Sequence, residues 1–381
     1  MNELRIGIIG LGNMGRNHAE KIIAGDVRGC KLTAVCDIDE SSLGKFKELR
    51  CFTDSHELII SGEVDAILIA TPHYSHTTIG IDALESGLHV LVEKPISVHK
   101  ADAERLIAAH RNKNQVFAAM FQQRTNSYYK KLKQFIEKGE LGKISRISWI
   151  VTDWYRTEAY YADGAWRATW KGEGGGVLLN QCPHQLDLLQ WLCGMPARVQ
   201  GFCGLGRWHD IEVEDQVTAY MEYSNGATGV FMTTTGEAPG TNRLEIAGEM
   251  GKMVMENDRL TFVRNEESSV EHSRNFASGF AKPEVWNIEI PIEGTAGRHT
   301  EIMQNFVDTV LEGASLIAPA EEGIKSVELA NAILYSSLKS KIVELPLDGR
   351  AYEKELQRLI AESSYQKRAV KKLDENMDKS F

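Results

Sequence analysis

The segment Gly10-Leu11-Gly12-Asn13-Met14-Gly15 sets three glycines at the spacing G-x-G-x-x-G. It follows an apolar run, Arg5 to Ile9, that reads as a strand, and it opens a helical pattern from Met14 to Ala24. A strand that turns through this spacing into a helix is built to meet a dinucleotide. Gly10 makes the tight turn, Gly12 lets backbone approach a pyrophosphate, and Gly15 packs helix on strand. Asn13 and Met14 fall on the first helical turn, where free N–H groups and partial positive charge face the phosphates. An acidic residue is required after the second strand, and Asp37 stands directly after Leu32 to Cys36. Its carboxylate repels a 2′-phosphate. Ile38-Asp39-Glu40 bring no compensating arginine, so NAD is expected and NADP is disfavoured.

The next segments keep the same rhythm. Asp65 to Ala70, His89 to Val92 and Val116 to Met120 read as strands, and Ser75 to Ser86 and Ala101 to Arg111 as helices. Ser75 is expected to cap its helix and Gly87 to end it. Continuous apolar strands are buried on both faces, so this part is a doubly wound α/β domain with a parallel sheet. From Ile144 to Phe262 the pattern alternates in β fashion, interrupted by a helical stretch near Gln185 to Leu192. Two amphipathic helices follow, His299 to Leu311 and Glu321 to Ser340.

Composition excludes several classes. Lysine plus arginine is 43 against 53 acidic residues, a net charge of −10, which disfavours nucleic acid and polybasic membrane contact. No apolar run reaches membrane-spanning length, and Met1 to Arg5 lacks a signal-peptide layout, so a cytoplasmic protein is expected. The six cysteines form no C-x2-C pair, so reduced thiols are expected and no metal site.

Two segments carry chemistry. Glu93-Lys94-Pro95 sits at the carboxyl end of a buried strand, where ligands bind. Lys94 there either meets a substrate hydroxyl or pairs with Glu93 at the surface. Gly174-Gly175-Gly176 leads through Asn180 and Pro183 to His184 and Asp187. Asn180 and His184 share one face if a helix runs through both, although Pro183 disfavours that. Upstream lie Asp153 to Tyr161 and Trp166 to Trp170, rich in aromatics and arginine. They read either as packing or as a sugar-binding wall of Tyr155, Arg156, Tyr160, Trp166 and Arg167. Thr71 and Pro72 end a strand at the crevice, and His76 stands as loop or helix-cap residue or as a cofactor contact.

These motifs, in this order, resemble the Gfo/Idh/MocA family (glucose–fructose oxidoreductase, inositol dehydrogenase and rhizopine catabolism). The matching residues are Gly10 to Gly15, Asp37, Thr71-Pro72 with His76, Glu93-Lys94-Pro95 and Gly174 to Asp187, over essentially the whole chain. The resemblance implies a Rossmann domain over residues 1–122, an α+β domain with a large open, mainly antiparallel sheet over 123–366, and a charged tail over 367–381. It implies NAD-dependent hydride transfer at a secondary hydroxyl of a sugar, glycoside or cyclitol. Lys94 takes the place of the lysine that contacts the hydroxyl and the nicotinamide ribose, and His184 that of the general base. Asn180 falls where many members carry an aspartate, and it cannot take a proton. Gln122 and Arg124 fall where members touch cofactor or substrate, and Asp187 matches a frequent acid that orients the histidine or is structural. The aromatic segment resembles members acting on pyranosides or anhydrosugars. A homodimer or homotetramer through the sheet is implied. The alternative is a glycosidase acting by transient oxidation and elimination on held NAD. A nucleotide sensor would need neither Lys94 nor His184.

Overall fold

The computed structural model describes residues 3–164, 166–294 and 297–367. Of the expected tail, residues 368–381 lie outside the described residues.

Six strands build the first sheet: β1 (Leu4–Ile9), β2 (Cys30–Cys36), β3 (Arg50–Phe52), β4 (Ala66–Ile69), β5 (His89–Val92) and β6 (Phe117–Ala119). They are parallel and lie in the order β3-β2-β1-β4-β5-β6. The order reverses between β1 and β4, so the crevice opens at their carboxyl ends. The glycine turn after β1, Thr71 after β4 and Lys94 after β5 converge there for that reason. The short strand β3 has only three residues, none of them buried, and carries no periodic signal. The helix His73–Glu85 starts directly after Pro72, whose φ of −58° already suits a helix start. Ser75 therefore lies inside the first turn and does not cap it.

The second sheet has nine strands: β7 (Ile144–Val151), β8 (Arg198–Leu205), β9 (Glu214–Glu222), β10 (Thr228–Thr234), β11 (Asn242–Gly248), β12 (Gly251–Glu256), β13 (Arg259–Asn265), β14 (Val285–Ile290) and β15 (Val343–Glu344). Their order is β14-β13-β12-β11-β7-β10-β9-β8-β15, and β7 with β10 is the parallel pair in an otherwise antiparallel sheet. Alternation sends Ile147, Trp149 and Val151, with Val217, Ala219 and Met221, into one buried core. The helix Gly323–Lys339 lies flush on β8, because a Cβ on Gly201 would stand 2.2 Å from the Ile333 carbonyl oxygen. On the opposite face Phe202, Tyr220 and Met232 are exposed.

The first core is not confined to residues before 123. Ile302, Met303, Phe306 and Val307 of the helix His299–Glu312 pack into it, so the chain returns to cover the first sheet. A buried clamp joins the parts. Arg124 donates through Nε and Nη2 to the two Asp187 carboxylate oxygens at 2.7 and 2.6 Å, and through Nη1 to Glu322 at 2.6 Å and the Ile317 carbonyl at 3.2 Å. This corrects the expectation that Arg124 meets substrate, since its guanidinium is spent on these partners. Of the two readings of Asp187 it favours the structural one, in which Asp187 holds Arg124. Removing one partner strands a buried charge. Asp187→Ala is expected to lower stability by about 3 kcal/mol, read as a shift of the urea midpoint at unchanged slope.

Candidate active site

The nucleotide cradle is shaped by what glycine omits. A Cβ on Gly15 would lie 1.8 Å from the Gly10 carbonyl oxygen, and one on Gly10 2.7 Å from the Ala70 carbonyl, at a φ of +92°. A Cβ on Gly12 would meet no protein atom within 4 Å, so its open side faces the crevice. Asp37 is already oriented: its carboxylate accepts from Leu11 N at 2.6 Å and from Asp39 N at 2.8 Å. Asn13 and Met14 stand on the first turn, where Asn13 Oδ1 accepts from Arg16 at 2.9 Å. Further along the strand ends, the buried Thr71 hydroxyl and Gln122 amide oxygen have no protein partner among the described residues. Free N–H groups, a directed carboxylate and orphaned polar atoms at the strand ends fit a pyridine dinucleotide. Pro72 precedes the helix at this rim. His76 departs from the expected contact, because its ring is occupied by the carbonyls of Pro95 and Thr71, both at 2.8 Å.

Glu93 and Lys94 face opposite tasks. Burial pushes the Glu93 carboxyl up, but the hydrogen bond from His18 at 2.7 Å, the His18 and His299 charges and Lys94 outweigh it and hold it at about 2. Lys94 is half-buried, and burial draws its ammonium down against the pull of Glu93. Its Nζ donates to the Asn180 carbonyl at 2.9 Å, a bond from β5 to the glycine-rich turn of the second half.

That turn is held by contact and by one acid. A Cβ on Gly174 would lie 2.1 Å from Val98 Cγ1, and one on Gly176 2.0 Å from the Glu214 carbonyl oxygen. The Glu214 side chain accepts from Gly176 N at 2.8 Å and Leu178 N at 3.1 Å. Burial nevertheless raises its carboxyl to about 7. The helix Pro183–Cys193 starts one residue before His184, with proline at its first position. Asn180 thus lies in the preceding turn and shares no helical face with His184. The His184 imidazole is buried, and neither ring nitrogen has a partner among the described residues. Burial, then the charges of Lys94 and His299, hold it well below the ordinary histidine range. A helix N-terminus disfavours imidazolium in the same direction.

A polar wall closes the other side. Tyr160 Oη donates to Asn180 Oδ1 at 3.3 Å and accepts from Arg167 Nη1 and Gln181 Nε2, each at 3.0 Å. The Asn180 amide nitrogen donates to Glu173, whose other oxygen accepts from Ala168 N at 2.6 Å. Trp166 meets the His73 ring edge-on at 5.3 Å, which ties the wall to the first domain. Tyr155 is exposed, and its carbonyl accepts from Arg156 at 3.0 Å. Glu173, Glu214 and His18 were not apparent from sequence. Glu173 directly precedes the glycines, the one local signal that marks any of the three.

A dinucleotide cradle opening onto a lysine and a histidine defines an NAD-binding oxidoreductase, and likeness to known proteins narrows the class. The description "Oxidoreductase family, NAD-binding Rossmann fold" matches residues 4–121 and "GFO/IDH/MocA C-terminal domain" matches residues 129–254. The chain belongs to the Gfo/Idh/MocA family of NAD-dependent oxidoreductases. It is 25% identical to myo-inositol 2-dehydrogenase of Thermotoga maritima over 90% of this chain and 98% of that one. It is 25% identical to levoglucosan dehydrogenase of Pseudarthrobacter phenanthrenivorans over 91% and 99%. The crystal structure of the WlbA dehydrogenase from Bordetella pertussis, in complex with NADH and UDP-GlcNAcA, superposes with a TM-score of 0.76 at 25% identity, covering 91% of this chain and all of that one. No helix among the described residues is long and apolar enough to cross a membrane.

Gly12→Ala is expected to leave the melting temperature unchanged while weakening NAD binding in calorimetry, whereas Gly15→Ala, with its Cβ against backbone, lowers both. Glu214 sets a second expectation. Its carboxyl is held at about 7 when folded against an ordinary 4.5, so the native state favours the protonated form. Its contribution is intact below pH 4.5 and is lost as pH rises through 7, a change of about 3 kcal/mol. Urea midpoints measured across that window are expected to fall less steeply in Glu214→Gln than in wild type.

Proposed function

We propose that this enzyme oxidises a secondary hydroxyl of a sugar or cyclitol, with His184 as the proton acceptor and Lys94 orienting the hydroxyl. The buried imidazole beside the lysine, without a partner among the described residues, carries this reading. NAD, when bound, supplies the hydride acceptor at nicotinamide C4, and Thr71, Gln122 and the cradle residues would hold it. Lys94 donates to the substrate oxygen and stabilises negative charge as it develops there. His184 is neutral and takes the hydroxyl proton while the alcohol carbon loses hydride, leaving a carbonyl. Asn180 acts through its carbonyl, which fixes Lys94, since its amide is engaged by Glu173 and Tyr160. The half-buried Arg156, Tyr160, Trp166 and Arg167 form the substrate wall, with Tyr155 at its outer edge. We assign binding and reduction of NAD to residues 1–122 and substrate contact to 123–366. The exposed row Phe202, Met232 and their neighbours is the face for self-association.

The sugar and cyclitol class rests on the inositol and levoglucosan dehydrogenases the chain resembles, which are dehydrogenases by name rather than glycosidases. His184→Ala and Lys94→Ala are each expected to lower kcat by ~10²–10⁴ with NAD affinity retained. Rates of NADH formation on a sugar and cyclitol panel check this. Wild-type turnover in either variant removes that residue from the mechanism, and glycoside cleavage without net NADH favours the elimination route.

A further inference from the structure

Two guanidinium groups stand on the same aromatic ring beside Lys94. The Arg156 and Arg167 guanidinium carbons lie 5.1 and 4.8 Å from the Tyr160 ring centroid, and they reach outward to Trp154 at 5.4 Å and Trp166 at 4.6 Å. Both side chains are half-buried. Among the described residues neither makes an ion pair. Arg167 donates to the Tyr160 hydroxyl and Arg156 to the neighbouring Tyr155 carbonyl, and the buried Arg156 Nε has no partner among the described residues. Both cations are near enough to Lys94 to disfavour its charge. The close acid, Glu173, already accepts from Asn180 and Ala168. Three cations thus converge, with Glu93 acting on Lys94, Glu173 and Asp163 on Arg167, and Asp153 on Arg156 at longer range.

The donor count points the same way. A sugar hydroxyl both gives and takes a hydrogen bond, whereas guanidinium and ammonium groups only give. A site for a neutral polyol needs acceptors in matching number. Here Asn180 Oδ1 is taken by Tyr160, and the buried Gln181 Oε1 stands as an open acceptor among the described residues against the donors of Arg156, Arg167 and Lys94. A carboxylate only accepts, and the planar fork of arginine matches it.

We infer that Arg156 and Arg167 form a subsite for an anionic group, a carboxylate, on the substrate, so that the preferred substrate is a polyhydroxy acid rather than a neutral sugar or cyclitol. This rests on the proposed hydroxyl oxidation at Lys94 and His184. A phosphate shares the same chemistry, and the test separates the two sources.

The experiment has a binding arm and a turnover arm. In the first, calorimetry on NADH-loaded protein compares glucuronate and galacturonate with glucose, myo-inositol and glucose 6-phosphate. The acids are expected to bind at least ~10-fold tighter than the neutral polyols, in line with charge-assisted hydrogen bonds. Equal or weaker binding of the acids overturns the inference, and tighter binding of the sugar phosphate alone replaces carboxylate with phosphate. In the second arm, Arg156→Gln and Arg167→Gln are expected to shrink the acid-to-neutral ratio of kcat/KM by ~10-fold or more, with Arg156→Lys restoring part of it. An equal loss for acid and neutral substrates overturns the inference. Preferred acid binding without NADH formation from any substrate supports the subsite and counts instead against the proposed oxidation.

Discussion

The bond from the Lys94 ammonium to the Asn180 carbonyl ties the end of the first sheet to the turn that carries the second half of the site. Lys94 is fixed by the end of β5, and Asn180 by a turn that belongs to the second half. Their distance therefore depends on how deeply that turn seats. Gly174 and Gly176 seat it against Val98 and Glu214 at distances no side chain survives. The glycines set the gap, and Glu214 supplies the acceptor for backbone N–H groups that the tight turn leaves unpaired. The helix of His184 starts from this platform, so the imidazole inherits its position from the same contacts.

Charge is handled in layers. Beneath the site, His18 keeps Glu93 ionised despite burial, and Glu93 in turn supports the neighbouring lysine. Above it, His184 stays neutral because burial, a nearby ammonium and the helix start all oppose a proton. Glu93 thus opposes the loss of charge that burial imposes on Lys94, while His184 is held neutral, the division of labour on which the proposed oxidation relies. His18 belongs to this arrangement although it touches neither the glycine turn nor the pocket. It stands one turn beyond Gly15 on the first helix, which packs closely enough to place its ring on Glu93.

The legible residues are those whose role is a local backbone requirement. Gly10, Gly12, Gly15 and Asp37 appear at fixed offsets because a turn and a strand end impose them. The positions of Lys94 and His184, at a strand end and after a glycine run, were legible for the same local reason. What escaped was long-range. Glu214 lies 38 residues from the Gly176 N–H it accepts, and alternation along β9 disguises it as an ordinary strand residue. Arg124 follows a strand into the crevice, yet its partners Asp187 and Glu322 come from distant parts of the sequence. The spacing of Asn180 and His184 gives no shared face, for the reason Pro183 already signals in the sequence: it begins the helix, so the four-residue interval spans a turn and a helix start.

Asn180 and Glu173 are best understood as a pair. Their side chains are in hydrogen-bond contact inside a buried pocket, with the amide nitrogen as donor. A carboxylate at 180 would face the Glu173 carboxylate across that contact, and two buried acids so close cannot both ionise. Asparagine supplies the N–H that Glu173 needs and turns its oxygen toward Tyr160. The negative charge therefore sits one layer back, on Glu173, where it orders Asn180 and faces Arg167 without an ion pair. Moving the acid out of the front rank leaves Arg156, Arg167 and Lys94 facing the pocket without a carboxylate at 180 between them, a balance that favours an anionic substrate over a neutral one.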